Sequence, residues 1–157
     1  MLYLIRHADA IDGEPDAERP LSPKGIAQAA LIGGAVRQRQ ELAPDEIWSS
    51  PLKRAEETTE ILCERIGWEA KRRIFPELEP EEAPQRVAAR IERFAGTLAL
   101  VGHNPHLTML TTLLVTGRFD FPVVVVSKCA FIALEPVRGR GLGDWNIAWH
   151  LTPESVR

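Results

Sequence analysis

The chain begins with an unbroken apolar run, Leu2, Tyr3, Leu4 and Ile5, that gives way at once to Arg6 and His7. A short run that is apolar on both faces predicts a strand buried between two layers, as in a parallel sheet. Polar residues follow as far as Pro20. Ser22-Pro23 then has the form of an N-cap and first-turn proline, and Ile26, Ala29, Ala30, Gly33 and Val36 recur at helical spacing, which predicts a helix to about residue 42. A short strand at 46–48 leads into Ser49-Ser50-Pro51. This is a second cap-and-proline start, for a helix carrying Ala55, Thr58, Ile61, Leu62 and Ile66 and stopping near Gly67.

Residues 71–75 read as a third strand and 77–82 as an acidic turn. Residues 83–95 read as a helix with Val87, Ile91 and Phe94 on one face. A strand at 97–101 is broken by Gly102-His103-Asn104-Pro105. A helix runs from 106 to about 115, and further strands are predicted at 123–126, 129–134 and 146–151. Strands and helices alternate through most of the chain. The pattern predicts a three-layer α/β/α sandwich with a mostly parallel central sheet and antiparallel pairing confined to the later edge strands. One domain over 1–157 suits that length.

Composition narrows the class. Hydrophobic residues make up 45% and charged residues 26%, with both signs interspersed, as in an ordinary globular protein. The formal net charge of -3 gives no general attraction to nucleic acid or to an anionic membrane, so any phosphate binding has to be local. The N-terminal run is too short for a signal peptide and no segment approaches a membrane span, which points to the cytoplasm. Cys63 and Cys129 lie far apart and outside any C-x-x-C pattern, so neither a disulfide framework nor a zinc site is expected.

In open α/β sheets ligands bind outside the carboxyl ends of the strands. The first predicted strand delivers Arg6 and His7 there. The second delivers Ser49, Ser50 and, a turn into its helix, Arg54; the third delivers Glu77 and the fourth His103. That set suits phosphoryl transfer. Two arginines can grip a phosphate and neutralise its equatorial oxygens, and a neutral imidazole is a competent nucleophile near neutral pH. His7 takes the nucleophile's role and His103 that of a second, more cationic imidazole donating to the phosphoryl oxygens. Helix N-termini after Ser50 and Pro105 add favourable dipole ends. Glu77 is the candidate general acid, with Glu79 its nearest competitor.

Each piece alone has a blander explanation. Arg6-His7 could be a polar strand end, and Arg54 could pair with Glu56 or Glu57 on a solvated helix face. His106 reads as a core histidine, His150 as an edge-strand residue, and Trp145 and Trp149 as packing. Pro105 separates His103 from His106 and no carboxylate or cysteine pattern lies nearby, so no metal and no cofactor is expected. Ser22, Ser49 and Ser50 are explained as helix caps, and no G-x-S-x-G elbow supports serine chemistry. The conjunction of the segments, in order and at strand ends, carries the weight.

Those segments carry a resemblance. Arg6-His7-Ala8-Asp9-Ala10 is similar to the R-H-G signature that opens histidine phosphatase superfamily domains, with Ala8 where glycine is usual. The run from Arg19 to Gly25 resembles the R-P-L-[ST]-x-x-G segment. The run from Ser49 to Thr58 resembles S-P-x-x-R-A-x-x-T, and Gly102-His103-Asn104-Pro105 the second-histidine segment. The chain looks closest to the short SixA subgroup of phosphohistidine phosphatases, over nearly its whole length. The resemblance implies a phosphoglycerate mutase-like fold, a phosphate pocket of Arg6, His7, Arg54 and His103, and a phosphorylated His7. Glu77, in Pro76-Glu77-Leu78, is carried over as the acid; the sequence leaves two places open for Arg19, reaching the phosphate or bracing the loop before the first helix.

Two features bear on substrate. Acid-phosphatase relatives have His-Asp where this chain has His103-Asn104, and few residues separate the third strand from the next helix, leaving little room for an inserted cap. An open pocket suits phosphate on another protein's surface, and phosphohistidine makes the mildest demand on a general acid. The expectation is a phosphatase removing phosphate from phosphohistidine on a signalling protein, such as the phosphotransfer domain of a histidine-kinase relay. The alternatives are a phosphatase of small phosphomonoesters or nucleotides, and a non-catalytic phosphoprotein-binding module.

Overall fold

Strand β1 (Leu2–Arg6) lies inside the sheet, with Leu2, Tyr3 and Leu4 fully buried, as its two-faced apolar pattern requires. The computed structural model describes residues 1–156. The other strands are β2 (Glu46–Ser49), β3 (Lys71–Ile74), β4 (Leu98–Gly102), β5 (Phe131–Pro136) and β6 (Trp145–Leu151), in the spatial order β3-β2-β4-β1-β5-β6. β1 pairs parallel with β4, and β2 pairs parallel with both β4 and β3. β5 runs antiparallel to β1, and β6 antiparallel to β5. This is the expected mostly parallel sheet with antiparallel late strands.

Alternate side chains of β1 feed two separate cores. Leu2 and Leu4 pack with Val87, Ile91, Leu107 and Leu110, whereas Tyr3 and Ile5 pack with Ala29, Ile32, Val36 and Leu62. Helices α3 (Pro84–Arg93) and α4 (His106–Thr116) therefore cover one face, and α1 (Pro23–Arg39) and α2 (Lys53–Ile66) the other. The two-residue period of a strand thus generates the three layers. α1 and α2 approach closely at Gly33, where a Cβ would sit 2.5 Å from Cβ of Arg65.

Most predicted elements form within a residue or two of their expected bounds, with three corrections. α1 stops at Arg39 instead of reaching residue 42, because Gln40 turns left-handed at φ 54° and its N–H caps the carbonyl of Arg37. Ser50 is not the cap of α2, which starts at Lys53 after Leu52 with no side-chain cap; its hydroxyl faces His103 instead. The stretch 123–126 is not a strand. Its last carbonyl, on Val126, accepts from the side chains of Arg6 and Asn104 rather than from a ladder, and Val125 is left 82% exposed. β5 accordingly begins at Phe131, after Cys129 has turned left-handed at φ 59°.

Candidate active site

Because β1, β2 and β4 are parallel, their carboxyl ends open on one rim, and the side chains that follow them meet there. Arg6 closes β1, His7 follows it, Arg54 lies in the first turn of α2, and His103 follows β4. His7, Arg54 and His103 are all buried. The rings of His7 and His103 stand 4.9 Å apart, centroid to centroid, tilted by 49°.

The main chain fixes His7 on both sides. Its N–H donates to the carbonyl of Gly102 at 2.9 Å, and its carbonyl accepts from the N–H of Cys129 at 3.1 Å. Its Nδ1 lies 2.7 Å from the carbonyl oxygen of Ala8, which can only accept. The hydrogen is therefore on Nδ1, and Nε2 keeps its lone pair. Burial pushes the ring's pKa down to about 4; the Ala8 bond offsets part of this, while Arg54, Arg6 and Lys128 add to it. His7 is a neutral imidazole with a free Nε2 at physiological pH.

Arg54 is held from two directions. Its Nη1 and Nη2 donate to the main-chain carbonyl and carboxylate of Asp16 at 2.9 and 3.2 Å. Behind it, the Thr58 hydroxyl donates to the Arg54 carbonyl and accepts from the N–H of Ala8 at 3.0 Å, so the two motifs are stitched together. Ala8 does not have a left-handed backbone, which explains why alanine serves where glycine is usual. Gly25 does need its missing side chain: a Cβ there would run into the Asp9 carbonyl, on the loop after His7. Arg6 is oriented by Nη1 donating to the Val126 carbonyl at 2.9 Å.

His103 departs from its expected charge. Burial, with His7 and Arg54 beside it, pushes its pKa down to about 2, so the ring is neutral. Its Nε2 lies 2.7 Å from the Ser50 hydroxyl. Asn104, the next residue, donates to the Val126 carbonyl and accepts from Thr108, a structural role.

Glu77 sits in the single turn Pro76–Leu78 and is paired with Arg90 of α3 at 3.0 Å. A backbone hydrogen bond and then Arg90 hold its carboxyl below the usual range, the opposite of what a proton donor needs. Glu79 has no side-chain hydrogen bond among the described residues. Arg19 braces the loop, donating to the Ile11 carbonyl, Asp16 and Asp12. His106 is buried in the α4 core with neither ring nitrogen partnered. Among the described residues no group of three or more His, Cys, Asp or Glu could hold a metal ion, and no helix is long and apolar enough to cross a membrane. Sequence reasoning missed Asp16, the Val126 carbonyl and Lys128, whose Nζ pairs with Asp9 at 2.6 Å at the rim.

A mostly parallel six-stranded sheet with helices on both faces is the fold of the phosphoglycerate mutase-like histidine phosphatases. A family model described as histidine phosphatase superfamily (branch 1) matches residues 2–79. An uncharacterised protein of Picosynechococcus is 35% identical over 114 residues, covering 68% of this chain and 67% of its own length. The phosphohistidine phosphatase SixA of Escherichia coli is 24% identical over 152 residues, covering 94% of this chain and 92% of its own. A structure of the protein histidine phosphatase SixA complexed with tungstate has the same fold, with a TM-score of 0.89 and 21% identity over 99% of both chains. The chain belongs to the histidine phosphatase superfamily and is a phosphatase, a hydrolase of phosphorylated substrates.

Proposed function

We propose that this phosphatase works through a phosphohistidine at His7 and takes its phosphoryl group from phosphohistidine on another protein. The observation that carries the reading is the 2.7 Å contact from His7 Nδ1 to the Ala8 carbonyl, which leaves Nε2 neutral and nucleophilic without a separate base. Nε2 attacks phosphorus, the bond from phosphorus to the donor imidazole breaks, and that imidazole leaves with the electron pair and takes up a proton. Water then attacks the phosphoryl group on His7, the Nε2–P bond breaks, and orthophosphate departs. Arg6 and Arg54 neutralise the equatorial oxygens in both steps.

Substrate class follows from the missing acid. With Glu77 held ionised on Arg90, the site favours a leaving group that departs without much help, and an imidazole does so where an alkoxide does not. The short connection from β3 to α3, residues 75–83, supports an open pocket able to meet a phosphoryl group on a protein surface. Two free, buried cysteines support a reducing compartment, the cytoplasm. The test is intact-mass detection of an acid-labile phosphoryl adduct after rapid quench, comparing the wild type with His7→Ala. An adduct is expected on the wild type alone. Turnover of a phosphohistidine protein should exceed that of an alkyl monoester; equal rates would remove the case for a dedicated phosphohistidine enzyme.

A further inference from the structure

Ser50, the residue after β2, is fully buried, and its hydroxyl has two polar neighbours. The N–H of Leu52 donates to its Oγ at 3.2 Å, and Nε2 of His103 lies 2.7 Å away. A serine hydroxyl has one hydrogen to donate and two lone pairs. If Nε2 of His103 carried a hydrogen, Oγ would accept from both neighbours. The hydroxyl hydrogen would then have no acceptor among the described residues, in a position shut off from water. Buried donors are rarely left so. If the hydroxyl instead donates to Nε2, every group on Ser50 is satisfied, and the hydrogen of a neutral His103 ring must lie on Nδ1. That nitrogen is itself buried and has no protein partner, so each tautomer leaves one buried hydrogen unpaired within the protein; a phosphoryl oxygen bound beside His7 would accept the one on the ring, not the one on Ser50.

We propose that Ser50 is a positioning residue that fixes His103 in its Nδ1–H tautomer, so that the neutral ring beside His7 holds a donor for a phosphoryl oxygen. Both the donor role and the choice of tautomer rest on the function proposed above, because a bound phosphoryl oxygen is what satisfies Nδ1–H. This arrangement reconciles an uncharged His103 with phosphate binding: the hydrogen is already in place, and no proton has to be taken up against the nearby arginines. It also gives Ser50, read from sequence as a helix cap, a different reason to be a hydroxyl residue.

The experiment is long-range nitrogen-15 NMR of the four histidines of the intact chain, with His106→Gln and His150→Gln used to assign their signals. In the wild type His103 is expected to show a protonated Nδ1 and an unprotonated, hydrogen-bonded Nε2; a protonated Nε2 would overturn the proposal. Ser50→Ala is expected to move His103 toward the Nε2–H form and to lower kcat roughly 100-fold, the scale of losing one preorganised donor to developing charge. Ser50→Thr, which keeps the hydroxyl, should restore the tautomer. An unchanged tautomer in Ser50→Ala would sink the idea even if activity fell. Failure of the proposed function reads differently: no phosphoryl adduct on His7, with the His103 tautomer as expected.

Discussion

Asp16 contacts Arg54 twice, through its main-chain carbonyl at 2.9 Å and its carboxylate at 3.2 Å, so the guanidinium proposed to hold phosphate is anchored by an anion. The carbonyl bond orients the fork whatever the side chain, whereas the carboxylate competes electrostatically with any phosphate that Arg54 would bind. Asp16→Ala is therefore expected to tighten competitive inhibition by orthophosphate. The Asp16 side chain is 55% exposed, so solvent screening limits the gain to about 0.5–1 kcal/mol, or roughly two- to fivefold in inhibition constant. Weaker inhibition in this variant would show that the carboxylate serves mainly to hold Arg54 in place.

Glu77 offers a test of the leaving-group argument. A working general acid contributes on the order of 100-fold or more, and a carboxyl ionised against Arg90 cannot supply it. Glu77→Gln is expected to leave turnover of a phosphohistidine protein within about threefold of the wild type, a change too small for a proton donor. A drop of 100-fold on every substrate would reinstate Glu77 as the acid and reopen the reading of small phosphomonoesters.

Three buried histidines make stability depend on pH. Burial lowers His7 and His106 to about 4 and His103 to about 2, whereas in the unfolded chain each titrates near 6.5. As pH falls through 6.5 the unfolded state takes up protons that the folded state refuses. Stability is therefore fully present above about 6.5 and is lost progressively toward pH 4, with the share from His103 continuing below it. Urea midpoints should be nearly level from pH 7.5 to about 6.5 and fall from there to pH 4.5. His106→Leu should flatten that slope and raise the unfolding free energy at neutral pH by about 1 kcal/mol, because two unpartnered buried nitrogens are removed. A slope unchanged by the substitution would place the acid sensitivity elsewhere.

The rim was legible in the sequence where side chains follow a strand in chain order. Arg6-His7 and His103 sit at the ends of apolar runs, and Arg54 stands in the first turn of a helix announced by Ser49-Ser50-Pro51. What supports them was not legible, for two physical reasons. Asp16 opens an isolated 3-10 turn and the Val126 carbonyl lies in an irregular segment, both placed by tertiary contacts, and a backbone carbonyl has no side-chain signature. Ser50 was visible but misread, since a serine before a proline satisfies the pattern for a cap as readily as it satisfies a histidine. The stretch 123–126 failed for a related reason: four consecutive valines match a strand in periodicity alone, and nothing local reveals that its last carbonyl faces two side chains.

The contact between Arg6 and the Val126 carbonyl joins residues 120 positions apart, and it exists because β5 runs antiparallel to β1 and so sends its preceding segment to the same rim. A ribosome that has released the chain only as far as α4 has already delivered every side chain proposed to bind phosphate, yet the Val126 carbonyl that orients Arg6 is still missing. Assembly of the pocket thus waits for a late event in synthesis, the docking of β5. The converse holds in the mature protein: fluctuations that loosen residues 126–130 would disarm the enzyme while the rest of the sheet stays intact.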